Sequence, residues 1–101
     1  MFDKLMAAQQ AAEEIKKRLD TVSVSSEVEG GAIRITATAN KAITGITIDE
    51  EFYKQADKEE LEELLLTAVN KVLAQADQVS AAEMQAATKD MLGGLGGMFG
   101  G

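Results

Sequence analysis

TVSVSSEVEGGAIRITATANKAITGITID, residues 21–49, is the stretch whose reading decides the fold. Val22, Val24 and Val28 alternate with Ser23, Ser25 and Glu27, and Ile33, Ile35 and Ala37 alternate with Arg34, Thr36 and Thr38. This is the period-two pattern of a sheet with one apolar and one wet face. Ser26 is the one gap on the apolar side. Gly30 and Gly31 suit the positive φ values of a tight hairpin, and Asn40 and Lys41 stand where a second two-residue turn falls, Asn tolerating the left-handed conformation best. In the third strand Ile46 and Ile48 keep one parity and Ile43 breaks it, so a bulge at Gly45 is expected to turn Ile43 back to the apolar side. A small sheet with one greasy face does not stand alone in water, and a helical segment on either side is available to cover it.

Residues 2–19 read as a helix, because Leu5, Ala8, Ala12, Ile15 and Leu19 recur at spacings of three and four. Two alanines make that seam narrow, which suits close approach of another helix, a dimer contact or the chain's own sheet. After the strands, residues 50–56 read as a polar connection in which Phe52 and Tyr53 plug the open end of the sheet. Asp57 followed by Glu60 resembles a capping box, and the acids at 59, 60, 62 and 63 suit the positive end of a helix dipole. Leu61, Leu65, Ala68, Val72, Ala76 and Val79 then form a stripe broadened by Leu64, Val69 and Leu73. Past Ser80 the apolar residues are mostly alanine, and that half is expected to project. A helix over residues 57–92 would span roughly 50 Å at about 1.5 Å per residue, longer than a small sheet covers, so a partner chain is the expected remedy. The glycine-rich run GGLGGMFGG, residues 93–101, is expected to end the helix and to be flexible.

The chain of 101 residues is one domain by size, and its 46% hydrophobic content is ordinary for a globular protein. It has no Cys, His or Trp. No disulfide framework is possible, and the commonest general base, the usual metal ligands and the thiol nucleophile are missing together. Gly30 and Gly31 lack the strand, loop and helix arrangement that cradles a phosphate. Neither a membrane-spanning run of roughly 20 apolar residues nor a signal-peptide block is present, so a soluble, cytoplasmic protein without an active site is expected.

Net charge is −7, unevenly spread. Residues 49–63 hold eight acids and two lysines, whereas residues 1–20 balance Lys4, Lys16, Lys17 and Arg18 against four acids. A surface that meets a polyanion must avoid the 49–63 segment. Lys16, Lys17 and Arg18 can contact phosphates from a helix end, twice over in a symmetric dimer. Each also has an acid at helical spacing (Glu13 with Lys17, Glu14 with Arg18, Lys16 with Asp20), so a solvated, salt-bridged face is the competing reading.

The N-terminal helix with Leu5, Met6, Gln9 and Gln10 is one of several segments with a familiar order. It is followed by Gly30 and Gly31 leading into IRIT, by ITGITID ending in Asp49, by DKEELEELLLTAVNKVLAQA with Leu61, Leu64, Ala68 and Asn70, and by the Met-containing glycine tail. Together they resemble the YbaB/EbfC family of bacterial nucleoid-associated proteins over nearly the whole chain. The resemblance implies an α+β fold of a helix, a three-stranded antiparallel meander and a long C-terminal helix. It also implies a homodimer with protruding helices in a tweezer-like shape, and binding to double-stranded DNA with little sequence preference in a cytoplasmic, nucleoid-associated setting. The DNA-contact role would fall on Lys4, Lys16, Lys17 and Arg18, and then on Lys71 and Lys89. The expectation is a non-enzymatic protein of one domain (residues 1–92) with a flexible tail (93–101), requiring no cofactor, metal, small-molecule substrate or membrane. The alternative is a homodimeric protein-interaction module in which the acidic end, the projecting helix and Leu95, Met98 and Phe99 recruit another protein.

Overall fold

The strands form where the alternation places them. In the computed structural model, which describes the backbone of residues 2–99 and the side chains of 4–87 and 89, α1 (Phe2–Asp20) leads into β1 (Ser23–Val28), β2 (Ile33–Thr38) and β3 (Ile43–Ile48). A short α2 (Glu50–Gln55) and a long α3 (Lys58–Phe99) follow. The sheet has the order β1-β2-β3, antiparallel throughout. Cross-strand partners share a face, so the pairs Val24 with Ala37, Ser26 with Ile35, Val28 with Ile33, Ile35 with Ile46 and Ile33 with Ile48 build one apolar surface.

α3 lies across that surface, chiefly over β1 and β2. Its expected stripe is the one that packs: Ala68 and Val72 are fully buried against Ile33, Ile35 and Ala37, with Leu61, Leu64, Leu65, Val69 and Leu73 around them, and Ala76 is fully buried further along the helix. Alanines at 68 and 76 let the helix axis approach the sheet closely. Ser26, the gap in the apolar pattern, is buried at that approach, and its hydroxyl donates to the Ala68 carbonyl at 2.7 Å.

The bulge forms where Gly45 indicates it. Thr36 pairs with Gly45 and Ala37 with Ile43, leaving Thr44 unmatched and returning Ile43 to the apolar side. Gly45 is needed for space, since a Cβ there would stand 3.0 Å from the Thr36 hydroxyl.

Both turns differ from the expectation. Strand pairing stops at Val28 and Ile33, so the first connection is four residues with a 3-10 turn at Glu29–Gly31, and Glu29 joins both glycines at positive φ. In the second, Thr38 N–H donates to Ala42 O at 2.8 Å and Lys41 N–H to Thr38 O at 2.9 Å, giving a three-residue loop. Its left-handed residue is Lys41 (φ 70), not Asn40. Asn40 is held elsewhere: its amide nitrogen donates to Lys16 O at 2.7 Å and to Asp20 Oδ1 at 2.6 Å.

Two further expectations, on residues 50–56 and on the end of the last helix, are corrected, and of the readings offered for the α1 seam the chain's own fold covers only the last turns. Residues 50–55 are helical, because Asp49 caps them by accepting from Phe52 N–H at 3.1 Å, and only Phe52 turns inward while Tyr53 stays exposed. Along the α1 seam, Leu19 is buried and Ile15 half-buried, but Leu5, Ala8 and Ala12 are exposed. The backbone of α3 continues helical through Phe99, so the helix does not end at Gly93. The side chains of Leu95, Met98 and Phe99 lie outside the described residues. The part of α3 beyond Ser80 stands clear of the sheet, in a molecule 65 Å long and 24 Å by 18 Å across.

Candidate nucleic-acid interface

The basic residues are positioned by the way α1 joins the sheet. Its last turn carries Lys17 and Arg18, with Lys16 just before them, and the C-terminal end of a helix dipole favours cations there. Leu19 anchors that turn in the core. Thr21 reinforces it, donating N–H and hydroxyl to Arg18 O at 3.0 and 2.7 Å. The Asn40 bonds to Lys16 O and Asp20 pin the β2–β3 turn to the same place. One end of the sheet therefore gathers Lys16, Lys17, Arg18 and Lys41.

The ion pairs here are not the ones that helical spacing suggests. Arg18 Nη1 reaches Glu83 Oε2 on α3 at 3.3 Å, and Lys41 Nζ meets Asp77 Oδ1 on α3 at 2.5 Å. Among the described residues Lys16 and Lys17 form no ion pair, so the local partners Asp20 and Glu13 leave both ammonium groups available. The two lysines are exposed to solvent, and the local ion pairs that the competing reading expects do not form at them.

The other candidate bases are dispersed. Lys4 is exposed in the first turns of α1, twelve residues before Lys16 and hence about 18 Å away along the helix. Lys71 faces β1, where its Nζ donates to Glu27 O at 3.3 Å, tying α3 to the strand. Lys89 is exposed on the part of α3 beyond the sheet. Lys41, which the sequence reading places only as a turn residue, joins the cluster because the Asn40 bonds bring its loop to α1.

The acids gather at the opposite end, on α2, the first turns of α3 and the Glu29 turn. Fourteen residues separate Glu63 from Asp77, about 21 Å of helix. That exceeds a Debye length of roughly 8 Å at physiological salt, so the acidic end is screened from a polyanion held at the basic end. Among the described residues no group of acids is arranged to hold a metal ion, and no helix is long and apolar enough to cross a membrane.

Comparison with known proteins agrees with this architecture. The chain is 38% identical over 98 residues to a nucleoid-associated protein of Flavobacterium johnsoniae, covering 97% of this chain and 91% of that one. It is 42% identical over 91 residues to a nucleoid-associated protein of Ruminiclostridium cellulolyticum, covering 90% and 78%. Its fold is similar to the crystal structure of an uncharacterised protein of Helicobacter pylori, with a TM-score of 0.65 at 15% identity over 77% of this chain and 90% of that one. The model of the YbaB/EbfC DNA-binding family matches residues 1–91, and the chain belongs to that family.

Proposed function

We propose that this protein binds duplex DNA without catalysis, as a homodimer that contacts phosphates with little sequence preference, and that it organises or regulates the nucleoid. The observation that carries the reading is the clustering of Lys16, Lys17 and Arg18 at the C-terminal end of α1, about 21 Å along α3 from the acidic end, in a member of a DNA-binding family. Two ammonium groups that form no ion pair among the described residues and one solvent-exposed guanidinium suit a run of backbone phosphates. Base reading in a groove would call for a rigid reading head with amide and guanidinium side chains, whereas flexible lysines give charge without sequence.

The homodimer is supported by apolar surface that the single chain leaves open. Ile43 and Ile46 are 42% and 54% exposed on the β3 edge of the apolar face, past the strands that α3 chiefly covers, and Leu5 and Met6 on α1 are 63% and 60% exposed. A narrow Leu5, Ala8, Ala12 seam suits a second helix at close range. Dimerisation doubles the phosphate contacts, and about four to six per dimer give a salt slope of roughly −4 to −5 at about −0.9 per phosphate.

The test is the triple variant Lys16→Ala, Lys17→Ala, Arg18→Ala, titrated against duplexes of unrelated sequence. It should bind all of them more weakly than the parent, and by similar factors. Equal affinity for parent and variant would remove this patch from the interface.

A further inference from the structure

Lys41 occupies a backbone position that lysine fits poorly. Its φ of 70 lies in the left-handed region, where glycine or asparagine is the favoured residue, and asparagine stands one position earlier with its amide committed to α1. A non-glycine residue held there against backbone preference is a reason to look for a role of its side chain. That side chain is half exposed and meets Asp77 of α3, which is itself half exposed. An ion pair so open to water adds little to stability. Arg18 and Glu83, one turn and a half further along α3, repeat the arrangement with the guanidinium largely exposed. In both cases a base at the α1 end of the sheet is held by a single carboxylate from α3. Lys16 and Lys17, which form no ion pair among the described residues, precede Arg18 on α1.

We propose that the β2–β3 turn is part of the DNA-binding surface, with Lys41 a phosphate contact and Asp77 the carboxylate that occupies it until a phosphate takes its place. This rests on the DNA-binding reading above. The Asn40 bonds to Lys16 O and Asp20 Oδ1 give the turn a fixed position relative to α1, so Lys41 and the α1 cluster meet one backbone together. A carboxylate and a phosphate oxygen accept from the same ammonium group, and the exchange needs no change in backbone. Asp77 thereby lowers affinity and keeps the interaction reversible at cellular salt.

Two substitutions and their combination test this by fluorescence anisotropy with labelled duplex DNA across a salt series. Lys41→Gly removes the ammonium and suits the left-handed backbone. It should keep the parent's thermal midpoint or raise it, while binding weakens and the log–log salt slope flattens by about 0.9 for each phosphate no longer neutralised. Asp77→Asn should tighten binding in the parent background and lose most of that gain when Lys41→Gly is present. Unchanged affinity and slope in Lys41→Gly would overturn the inference and leave the DNA-binding reading standing. So would an equal gain from Asp77→Asn with and without Lys41, which would mean that Asp77 acts only through its own charge. A lowered thermal midpoint in Lys41→Gly would assign Lys41 a folding role instead. Failure of the parent to bind any duplex at low salt would overturn both readings.

Discussion

Ser26 is a polar residue in the tightest part of the molecule, 3% exposed between Val24 and Val28 on the face that α3 covers. The Ala68 carbonyl has a second lone pair beyond the one a helix uses, and the Ser26 hydroxyl takes it at 2.7 Å. A neutral buried hydrogen bond of this type contributes about 0.5–1.5 kcal/mol, and Ser26→Ala removes the donor along with the bond, so no orphaned donor remains. Ser26→Ala should therefore cost about 1 kcal/mol by urea denaturation. Ser26→Val, which would complete the apolar alternation, should cost about 1–3 kcal/mol because its methyl groups meet a helix already in contact. A more stable Ser26→Val protein would show that the site has spare volume. The gap at Ser26 is legible in the sequence, but its partner is not, because the hydrogen bond joins residues 42 apart. The same limit applies at the second turn. Local preference gives the left-handed position to Asn40, yet the amide is worth more bonded to Lys16 and Asp20, and Lys41 takes the strained place.

At the scale of elements, the apolar periodicity of α3 and that of α1 look alike but end differently. Ala68, Val72 and Ala76 are buried by the sheet, whereas Leu5 and Met6 stand exposed and only the last turns of α1 are covered. A period of three and four reports that a face is apolar; what covers it is decided by the rest of the fold. The strands, the bulge at Gly45 and the packed stripe of α3 are readable because each depends on neighbours in sequence. The Asn40 bonds that place the second turn and the Arg18–Glu83 pair depend on where distant segments meet, whereas the α2 cap at Asp49 is a local signal, three residues from Phe52, that reading residues 50–56 as a connection passes over. β3 carries the clearest consequence. Ile46 pairs with the buried Ile35 and shares its face yet remains 54% exposed, because α3 lies chiefly over β1 and β2 and leaves the β3 edge open. Ile46→Glu places a charge there without disturbing the fully buried core. In a homodimer closed over this face, the variant should shift to monomer by light scattering after size exclusion, with its helical circular dichroism retained. A variant that remains dimeric would move the interface to α1.

Across the whole molecule, a net charge of −7 looks unfavourable for a partner as anionic as DNA. The distribution resolves this, because the acids gather on α2 and the first turns of α3 while Lys16, Lys17, Arg18 and Lys41 meet at the other end of the sheet. At low salt the acidic end reaches further, so repulsion and attraction both strengthen; near physiological salt the groups at the basic end act, Lys16, Lys17, Arg18 and Lys41 together with Asp20, Asp77 and Glu83 beside them. Under the proposed reading few phosphates are neutralised, and lysine and arginine contacts to them give little sequence discrimination. The most direct measurement is the anisotropy of a short labelled duplex titrated with the parent protein over a salt series, with shuffled-sequence competitors. Binding that tolerates shuffling and weakens with salt at a slope of about −4 to −5, from roughly −0.9 per phosphate, is the expected result. No binding at low salt, or binding that shuffling abolishes and salt leaves unchanged, would contradict it.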